Sequence, residues 1–255
     1  MNAVEIDTAS VGHPLLALSA AGLRYAVRLR PLPVSELTRR IYAYHTLPLS
    51  LRIHAQLPTW LHVQDWIGFG RSLSWPRKLH RSFVQSADPA GYWTHWRRPT
   101  AVGALAHKLY ISPRPDAVPQ LFPRLVETFE ALDVQAFKIG ASSRVLLRPD
   151  KLVAYFASRD HLRAVADELA PMVTCLPPHG VPFTAPLCSS SALSWGYDPG
   201  IGGSSWRLWI AHVLALGISG APAGPADQVL QHVRSAIVLA GIDPDCWEPR
   251  AGAAT

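Results

Sequence analysis

The alternation of apolar and polar positions is clearest in the central part of the chain. Residues 102–112 alternate with a period of two, which predicts a β-strand. Residues 117–132 carry apolar side chains at helical spacing and predict an amphipathic helix. Residues 134–140 predict a second strand, and a tight turn at 148–150 leads into a third. The centre of the chain therefore combines strands and a helix in one compact unit.

The same pattern continues toward the C-terminus. A second helix is predicted from Arg159 to Pro171, where proline closes it, and helix-like runs follow at 204–216 and 226–240. The order strand, helix, strand, strand, helix is typical of an α+β fold. We therefore predict a mostly antiparallel sheet with helices on one face.

The first hundred residues are less regular. Residues 1–20 lack a pattern and predict a flexible tail, whereas residues 35–47 have helical spacing that Pro48 ends. No element can be assigned between 48 and 99, a segment rich in tryptophan, histidine, proline and arginine. These features predict an N-terminal, partly helical region over 21–99 that packs on an α+β core over 100–255.

Composition limits where the protein acts. The chain has 49% hydrophobic residues, but no apolar run approaches the roughly 18 residues of a membrane span. The acidic N-terminus, with Glu5 and Asp7, differs from a secretory signal. The three cysteines form no CxxC pair, which fits a reducing compartment. We predict a cytoplasmic protein that does not bind a membrane.

Charge and metal-ligand spacing limit the partners. The net charge of +6 favours an anionic partner, but the basic residues are scattered, which disfavours nucleic acid and favours a phosphorylated or acidic small partner. Cys175, His179 and Cys188 have loose metal-like spacing without a fourth ligand in a tight pattern, so no metal site is predicted.

Lysine usage singles out one stretch of the chain. The sequence has only four lysines against twenty arginines, and three of the four lie between 107 and 156. Arginine stays protonated at any working pH, whereas a lysine that is desolvated or near other cations can lose its proton and act as a base. The retained lysines are therefore candidates for chemistry, although a lysine on a strand is often a solvated edge residue.

The strand period places two of these lysines on defined faces. Lys108, Tyr110 and Ser112 share one face of the first predicted strand, and Lys138 faces away from Phe137 on the second. If the two strands are neighbours, Lys108 and Lys138 converge, and each ammonium disfavours protonation of the other. One lysine would then be neutral near pH 7.

Three arginines are candidates to bind a doubly charged phosphate, namely Arg144, Arg148 and Arg207. Arg144 and Arg148 compete for one role, because the turn that follows Arg148 can also be a plain hairpin cap. Arg207 lies between two tryptophans on a predicted helix, where a structural cation on an aromatic face is the alternative. No metal or organic cofactor is required for the chemistry considered below.

Six sequence blocks, in their order and spacing, resemble the HopA-type effector family. They are KLYIS (108–112), FKIG (137–140), RVLLRPDKLVAYF (144–156), GVPFTAP (180–186), LSWGYDP (193–199) and SSWRLWIA (204–211). That family is related to the type III effector phosphothreonine lyases, and its bacterial members include lyase components of class V lanthipeptide and thioamitide pathways. The resemblance covers residues from about 100 to 217.

The resemblance implies β-elimination of phosphate from a phosphoserine or phosphothreonine in a peptide, which leaves a dehydroamino acid. In the phosphothreonine lyases a lysine after an aromatic residue removes the α-proton, and Lys138 falls on that motif. Those enzymes also carry a lysine, one residue and then a histidine that protonates the departing phosphate. Here Lys108 is followed by Leu109 and Tyr110, so a tyrosine with a reference pKa of about 10 occupies the place of the acid. Either Tyr110 donates that proton or the phosphate leaves as a dianion without an acid.

Together with the resemblance, these observations predict a phosphoserine/phosphothreonine lyase that acts on a precursor peptide of a ribosomal peptide pathway. Lys138 is the predicted base, and Lys108 would stabilise the charge that develops on the adjacent carbonyl. The sequence has no evident phosphotransferase motif, so a separate kinase-like partner would phosphorylate the peptide. The alternatives are a non-catalytic phosphopeptide-binding or scaffold subunit and a host-directed effector.

Overall fold

The computed structural model describes residues 12–70, 74–101, 103–200 and 205–250. The described helices are α1 (Pro14–Arg28), α2 (Val34–Ala43), α3 (Leu51–Gln56), α4 (Trp60–Ile67), α5 (Ser74–Ser82), α6 (Val118–Ala131), α7 (Ser143–Leu146), α8 (Arg159–Thr174), α9 (Trp206–Gly220) and α10 (Ala226–Leu239). The described strands are β1 (Val84–Ala87), β2 (Trp93–Arg97), β3 (His107–Ile111), β4 (Ala136–Gly140), β5 (Leu152–Phe156), β6 (Ala185–Pro186) and β7 (Leu193–Tyr197).

The seven strands form one sheet in the order β1-β2-β4-β5-β3-β7-β6, and every neighbouring pair is antiparallel. This arrangement confirms the predicted α+β fold around an antiparallel sheet. The strands β3 and β4 are not neighbours, because β5 lies between them. The assumption that brought Lys108 and Lys138 onto adjacent strands is therefore wrong, and their relation depends on β5.

Two hydrophobic cores lie on the two faces of the sheet. Side chains such as Phe137 and Ile139 point toward the first core, which α4, α5, α6 and α8 cover. Tyr110 and Val153 point toward the second core, which α1, α2, α9 and α10 build. Helices thus cover both faces rather than the one that we predicted, because the N-terminal and C-terminal helices pack together on the second face.

Several predicted elements are present with changed ends. The helix predicted over 117–132 is α6, and the helix that we expected to stop at Pro171 continues as α8 to Thr174. A proline in the last turn removes one backbone hydrogen bond, and the buried side chain of Val173 holds the turn against the core. The predicted starts at Val102 and Ser204 lie outside the described residues.

The N-terminal region differs most from its prediction. The helix α1 begins at Pro14, so residues 14–20 of the predicted tail are helical, with Leu15 and Ser19 buried; residues 1–11 lie outside the described part of the chain. The unassigned segment 48–99 contains α3, α4, α5, β1 and β2, and β2 pairs with β4. The predicted division at residue 99 therefore falls inside one sheet. Within the described ranges, no helix has the length and apolar character needed to cross a membrane.

Candidate functional site

The second face of the sheet carries lysines on three adjacent strands or strand ends. Lys138 lies on β4, Lys108 on β3 and Lys151 at the start of β5, between the other two strands. The ring of Tyr155, also on β5, lies 5.3 Å from the Nζ atom of Lys108 and 5.9 Å from that of Lys138. The two ammonium groups therefore converge across an aromatic ring rather than by direct strand pairing.

Lys138 occupies the open part of this face. Its side chain is only partly buried, and its Nζ atom lies 4.0 Å from the centre of the Trp93 ring. Among the described residues no carboxylate forms an ion pair with it. Burial lowers the pKa of Lys138, the charge of Lys108 lowers it further, and the result is about 8. An appreciable fraction of this amine is neutral near physiological pH.

Lys108 is buried and paired. Its Nζ atom lies 2.5 Å from Oδ2 of Asp198, and the side chain is about 6% exposed. The other oxygen of Asp198 accepts a hydrogen bond from the backbone N–H of Trp206 at the start of α9. Asp198 therefore joins Lys108 to a helix terminus, where a carboxylate is favoured, and it fixes the ammonium beside Tyr155.

A buried carboxylate holds two of the predicted phosphate-binding arginines. Arg148 donates two hydrogen bonds of 2.9 Å to Asp150, and Arg207 places Nη1 2.8 Å from Oδ2 of the same residue. Arg148 also contacts the hydroxyl of Tyr42, and Arg207 donates to the Tyr42 carbonyl at 2.8 Å. Burial alone would raise the pKa of Asp150, but the charges of Arg207 and Arg148 outweigh it and hold the pKa well below its usual range.

The two arginines differ in access. Arg148 keeps about 22% of its side chain exposed and stacks its guanidinium near both Tyr42 and Trp93, with its Cζ atom 5.4 Å from the Trp93 ring. Arg207 is only about 3% exposed and lies over the Tyr42 ring. Arg148 can reach a ligand beside Lys138, whereas Arg207 mainly balances Asp150.

Two further predicted residues lie away from the open part of the face. Tyr110 is 2% exposed within the second core, and burial raises its pKa well above the ordinary value. Arg144 is exposed on the short helix α7, and no ion pair among the described residues includes it. The burial of Tyr110 disfavours its predicted role as an acid, and the choice between the arginines now favours Arg148. Both roles stay predictions.

Lys151, at the start of β5, is fully buried. Its Nζ atom lies 3.0 Å from the Pro113 carbonyl, 3.3 Å from Ser112 Oγ and 2.8 Å from His179 Nδ1. Burial lowers the pKa of Lys151 to about 7. His179 in turn places Nε2 2.7 Å from the carbonyl of His45. This group ties the end of β3 to the segment after α2, and it has no open route to a ligand on Lys138.

Two functional candidates come from the segment without assigned elements. Trp93 and His95 alternate on β2, and the register places His95 directly opposite Lys138. The block WTHW over 93–96 lacks an apolar period of two, because Trp93 and Trp96 point to opposite faces of the sheet, so no strand was predicted there. The sheet partner of β2 cannot be read from the block, so its closeness to Lys138 was missed. His107, in contrast, contacts Trp195 and Tyr197 rather than the lysines.

The arrangement favours an anion with more than one negative charge. Lys108, Lys138, Arg148 and Arg207 face two carboxylates, Asp150 and Asp198, so two positive charges remain in excess when all are ionised. In the described ranges, no group of three histidine, cysteine or acidic side chains is placed to hold a metal. The site places an amine with a lowered pKa, a partly exposed guanidinium and a buried, paired ammonium on one sheet face.

The fold and site thus define an α+β protein with a cationic, lysine-centred site on an antiparallel sheet. The HopA1 effector protein family matches residues 92–247, which is more than half of the chain. The chain belongs to the HopA1 effector protein family. A search of curated protein sequences found no match.

Two solved structures share this fold. An effector protein from Pseudomonas syringae pv. tomato strain DC3000 superposes with a TM-score of 0.58 at 12% identity, over 92% of this chain and 98% of that one. The effector protein from Pseudomonas syringae pv. syringae strain 61 gives a TM-score of 0.52 at 15% identity, over 93% and 97%. The phosphothreonine lyase SpvC, an effector protein from Salmonella, aligns over 76% of this chain and 98% of its own at 14% identity, with a TM-score of 0.39.

Proposed function

We propose that the protein is a phosphoserine/phosphothreonine lyase that eliminates phosphate from a phosphorylated precursor peptide and leaves dehydroalanine or dehydrobutyrine. The substrate belongs to ribosomal peptide natural-product biosynthesis, and a separate kinase-like partner supplies the phosphorylated peptide. The observation that carries the proposal is Lys138, an accessible lysine with a pKa near 8 in a site that holds excess positive charge.

The environment of Lys138 fits the demands of β-elimination. The α-proton of a peptide residue is weakly acidic, so its removal needs a base that is partly neutral near pH 7 and a positive group beside the carbonyl where charge develops. Lys138 suits the first requirement, because burial and Lys108 depress its pKa. The fixed ammonium of Lys108 suits the second.

The leaving phosphate has a matching cation. Arg148 is partly exposed, and both of its hydrogen bonds to Asp150 leave part of the guanidinium free to face a ligand near Trp93. Guanidinium groups bind phosphate oxygens with charge-assisted hydrogen bonds. In this scheme Arg148 holds the phosphate. Arg207 shares the negative charge of Asp150, so that Asp150 does not fully neutralise Arg148.

The proposal is tested by incubating the protein with synthetic peptides that carry one central phosphoserine or phosphothreonine between randomised flanking residues. Elimination releases inorganic phosphate and leaves a peptide lighter by one water than the unphosphorylated form, and mass spectrometry detects both changes. Lys138→Ala is expected to abolish release, and Lys78→Ala on α5 is the matched control that should retain it. Equal release by Lys138→Ala and wild type would refute the assignment, and no release by wild type would refute the proposed function.

A second candidate function is a phosphopeptide-binding subunit without catalysis. The burial of Tyr110 favours it, because the residue at the expected acid position cannot reach a ligand on Lys138. Such a subunit would bind the phosphorylated peptides more tightly than the unphosphorylated ones without releasing phosphate. Binding measured by isothermal titration calorimetry, together with the release assay, separates the two functions.

A further inference from the structure

The proposed reaction lacks a proton donor for the departing phosphate once Tyr110 is placed in the core. Three other side chains near the lysines are candidates by position. Tyr155 is partly buried, and burial raises its pKa far above the ordinary value, which makes it a weak proton donor. His107 packs against Trp195 and Tyr197, and Lys151 is enclosed by its own hydrogen-bond partners. His107 and Lys151 cannot meet a ligand held beside Lys138, and Tyr155 lies within reach but is too weak an acid.

We propose that His95 is the catalytic acid that protonates the phosphate leaving group in the elimination reaction proposed above. In the antiparallel pair of β2 and β4, His95 stands directly opposite Lys138. Directly opposed residues project from the same face with Cβ atoms about 5 Å apart. His95 is half-buried, so a substrate that contacts Lys138 also contacts this imidazole.

The neighbours of His95 support this role. Trp93 lies two residues earlier on the same face and touches both Lys138 and Arg148. The leaving group held by Arg148 is therefore on the His95 side of Lys138. Asp88 accepts a hydrogen bond from the Trp93 amide at the turn between β1 and β2, which brings a carboxylate near the imidazole.

The charged groups around His95 set its protonation. Burial lowers the pKa of His95, Lys138 lowers it further, and Asp88 opposes both effects. In the free protein the imidazole is mainly neutral at pH 7. A phosphate dianion that binds between Arg148 and Lys138 favours the imidazolium, because an opposite charge within a few ångströms stabilises the charged form. Substrate binding therefore favours the protonated form of His95, which is the form that can act as an acid.

The proton and electron balance of the step is complete. The neutral amine of Lys138 takes the α-proton, and the electron pair of the Cα–H bond forms the Cα=Cβ double bond. The Cβ–O bond breaks, its electrons stay on the bridging oxygen, and His95 gives that oxygen a proton. The products are the dehydroamino acid, hydrogen phosphate, an ammonium on Lys138 and a neutral imidazole on His95, and exchange with water restores both groups.

The pH dependence of kcat/KM discriminates this role from a structural one. The active form needs a neutral Lys138, with a pKa near 8, together with a protonated His95, with a lower pKa. The product of the neutral fraction of Lys138 and the protonated fraction of His95 sets kcat/KM. This product rises with pH up to the pKa of His95, stays level to about pH 8 and falls above it. When His95 is absent, only the neutral fraction of Lys138 matters, so the profile rises to about pH 8 and then stays level.

The test compares wild type, His95→Gln and the control His232→Gln on the exposed face of α10, with the same synthetic phosphopeptides. We expect His95→Gln to lose about 10²- to 10⁴-fold in kcat, to change phosphopeptide binding less than about threefold, and to lose the decline above pH 8. His232→Gln should behave as wild type.

A second substrate isolates the leaving group. A peptide with β-chloroalanine at the central position expels chloride, which needs no proton, so His95→Gln should retain its rate relative to wild type while Lys138→Ala loses it. A rate of His95→Gln within about threefold of wild type on the phosphopeptides, or a loss of binding that accounts for its lost rate, would overturn the role of His95 and leave Lys138 as the base. A wild-type protein that releases no phosphate would overturn both proposals.

Discussion

Lysine side chains have opposite environments at the two ends of one sheet face. Over β2 and β4, Lys138 is partly exposed, lies on an aromatic ring and has no carboxylate partner among the described residues. Over β3 and the start of β5, Lys108 is paired with Asp198, and Lys151 is sealed among neutral acceptors. The helices of the second core cover the end over β3 and the start of β5, which we call the closed end. They leave the end over β2 and β4, the open end, accessible.

The comparison shows that the scarcity of lysine identifies candidate catalytic lysines but does not say which of them is the base. Burial without a carboxylate lowers a lysine pKa, whereas an ion pair keeps the ammonium charged. Lys138 combines a lowered pKa with access, Lys151 has a lowered pKa without access, and Lys108 is held by its ion pair. Chemistry with a peptide substrate needs both properties in one residue.

The largest effect is expected from Lys138→Arg, which keeps the charge at the open end but removes the titratable amine. Arginine stays protonated, so elimination should fall about 10²- to 10⁴-fold while phosphopeptide binding is retained. Phosphate release and calorimetric binding measure the two properties separately. If Lys138→Arg retains elimination, the titratable amine at the open end is not needed for the reaction. If the variant loses binding and elimination together, Lys138 has a role in anion binding instead.

Asp150→Asn should strongly destabilise the fold, because it leaves Arg148 and Arg207 without their shared carboxylate. Removal of one partner from a buried ion pair typically costs about 3–5 kcal/mol of unfolding free energy. The matched control is Asp167→Asn on α8, whose pair with Arg163 is exposed and should contribute about 1 kcal/mol or less. Chemical denaturation measures both variants, and similar losses would show that the site does not depend on this buried pair.

Lys151→Met tests the closed end through the pH dependence of stability. The pKa of Lys151 is about 7 in the folded protein and near 10.4 in the unfolded chain, so the unfolded chain binds more protons between pH 7 and 10. Lys151 should therefore make stability rise with pH in this window, by at most about 1.4 kcal/mol per pH unit. Denaturation curves at several pH values should show a smaller slope for Lys151→Met, and an unchanged slope would mean that Lys151 keeps its proton when folded.

The smallest expected change is the shift in the pKa of Lys138 when Lys108, at the closed end, is replaced by methionine. Lys108 is one cause of the low pKa of Lys138, so its removal should raise that pKa and lower the neutral fraction of the base. A rise of one pKa unit corresponds to roughly a tenfold loss of neutral amine at pH 7. An NMR titration of the Lys138 side chain, with Lys78→Met as control, measures the shift. An unchanged pKa would show that burial alone sets it.

Much of the fold follows from local pattern. The strands β3, β4 and β5 and the helices α6 and α10 agree closely with the periods of their apolar residues, because each buries one regular face. The strand β2 was missed because its two tryptophans point to opposite faces, so its pattern lacks a clear apolar side. The short helices α3 and α4 were missed because six to eight residues give little periodicity.

The sequence alone determined that this is an α+β protein in which a few lysines stand apart from many arginines, because hydrophobic period and residue type are local properties. It also determined that Lys138 faces away from Phe137, since a strand has a fixed period. Only the tertiary structure decided that β5 separates Lys108 from Lys138, that Asp150 gathers two arginines and that His95 stands opposite Lys138. Strand order and register depend on packing between distant segments, and that packing decides which lysine is open to a ligand.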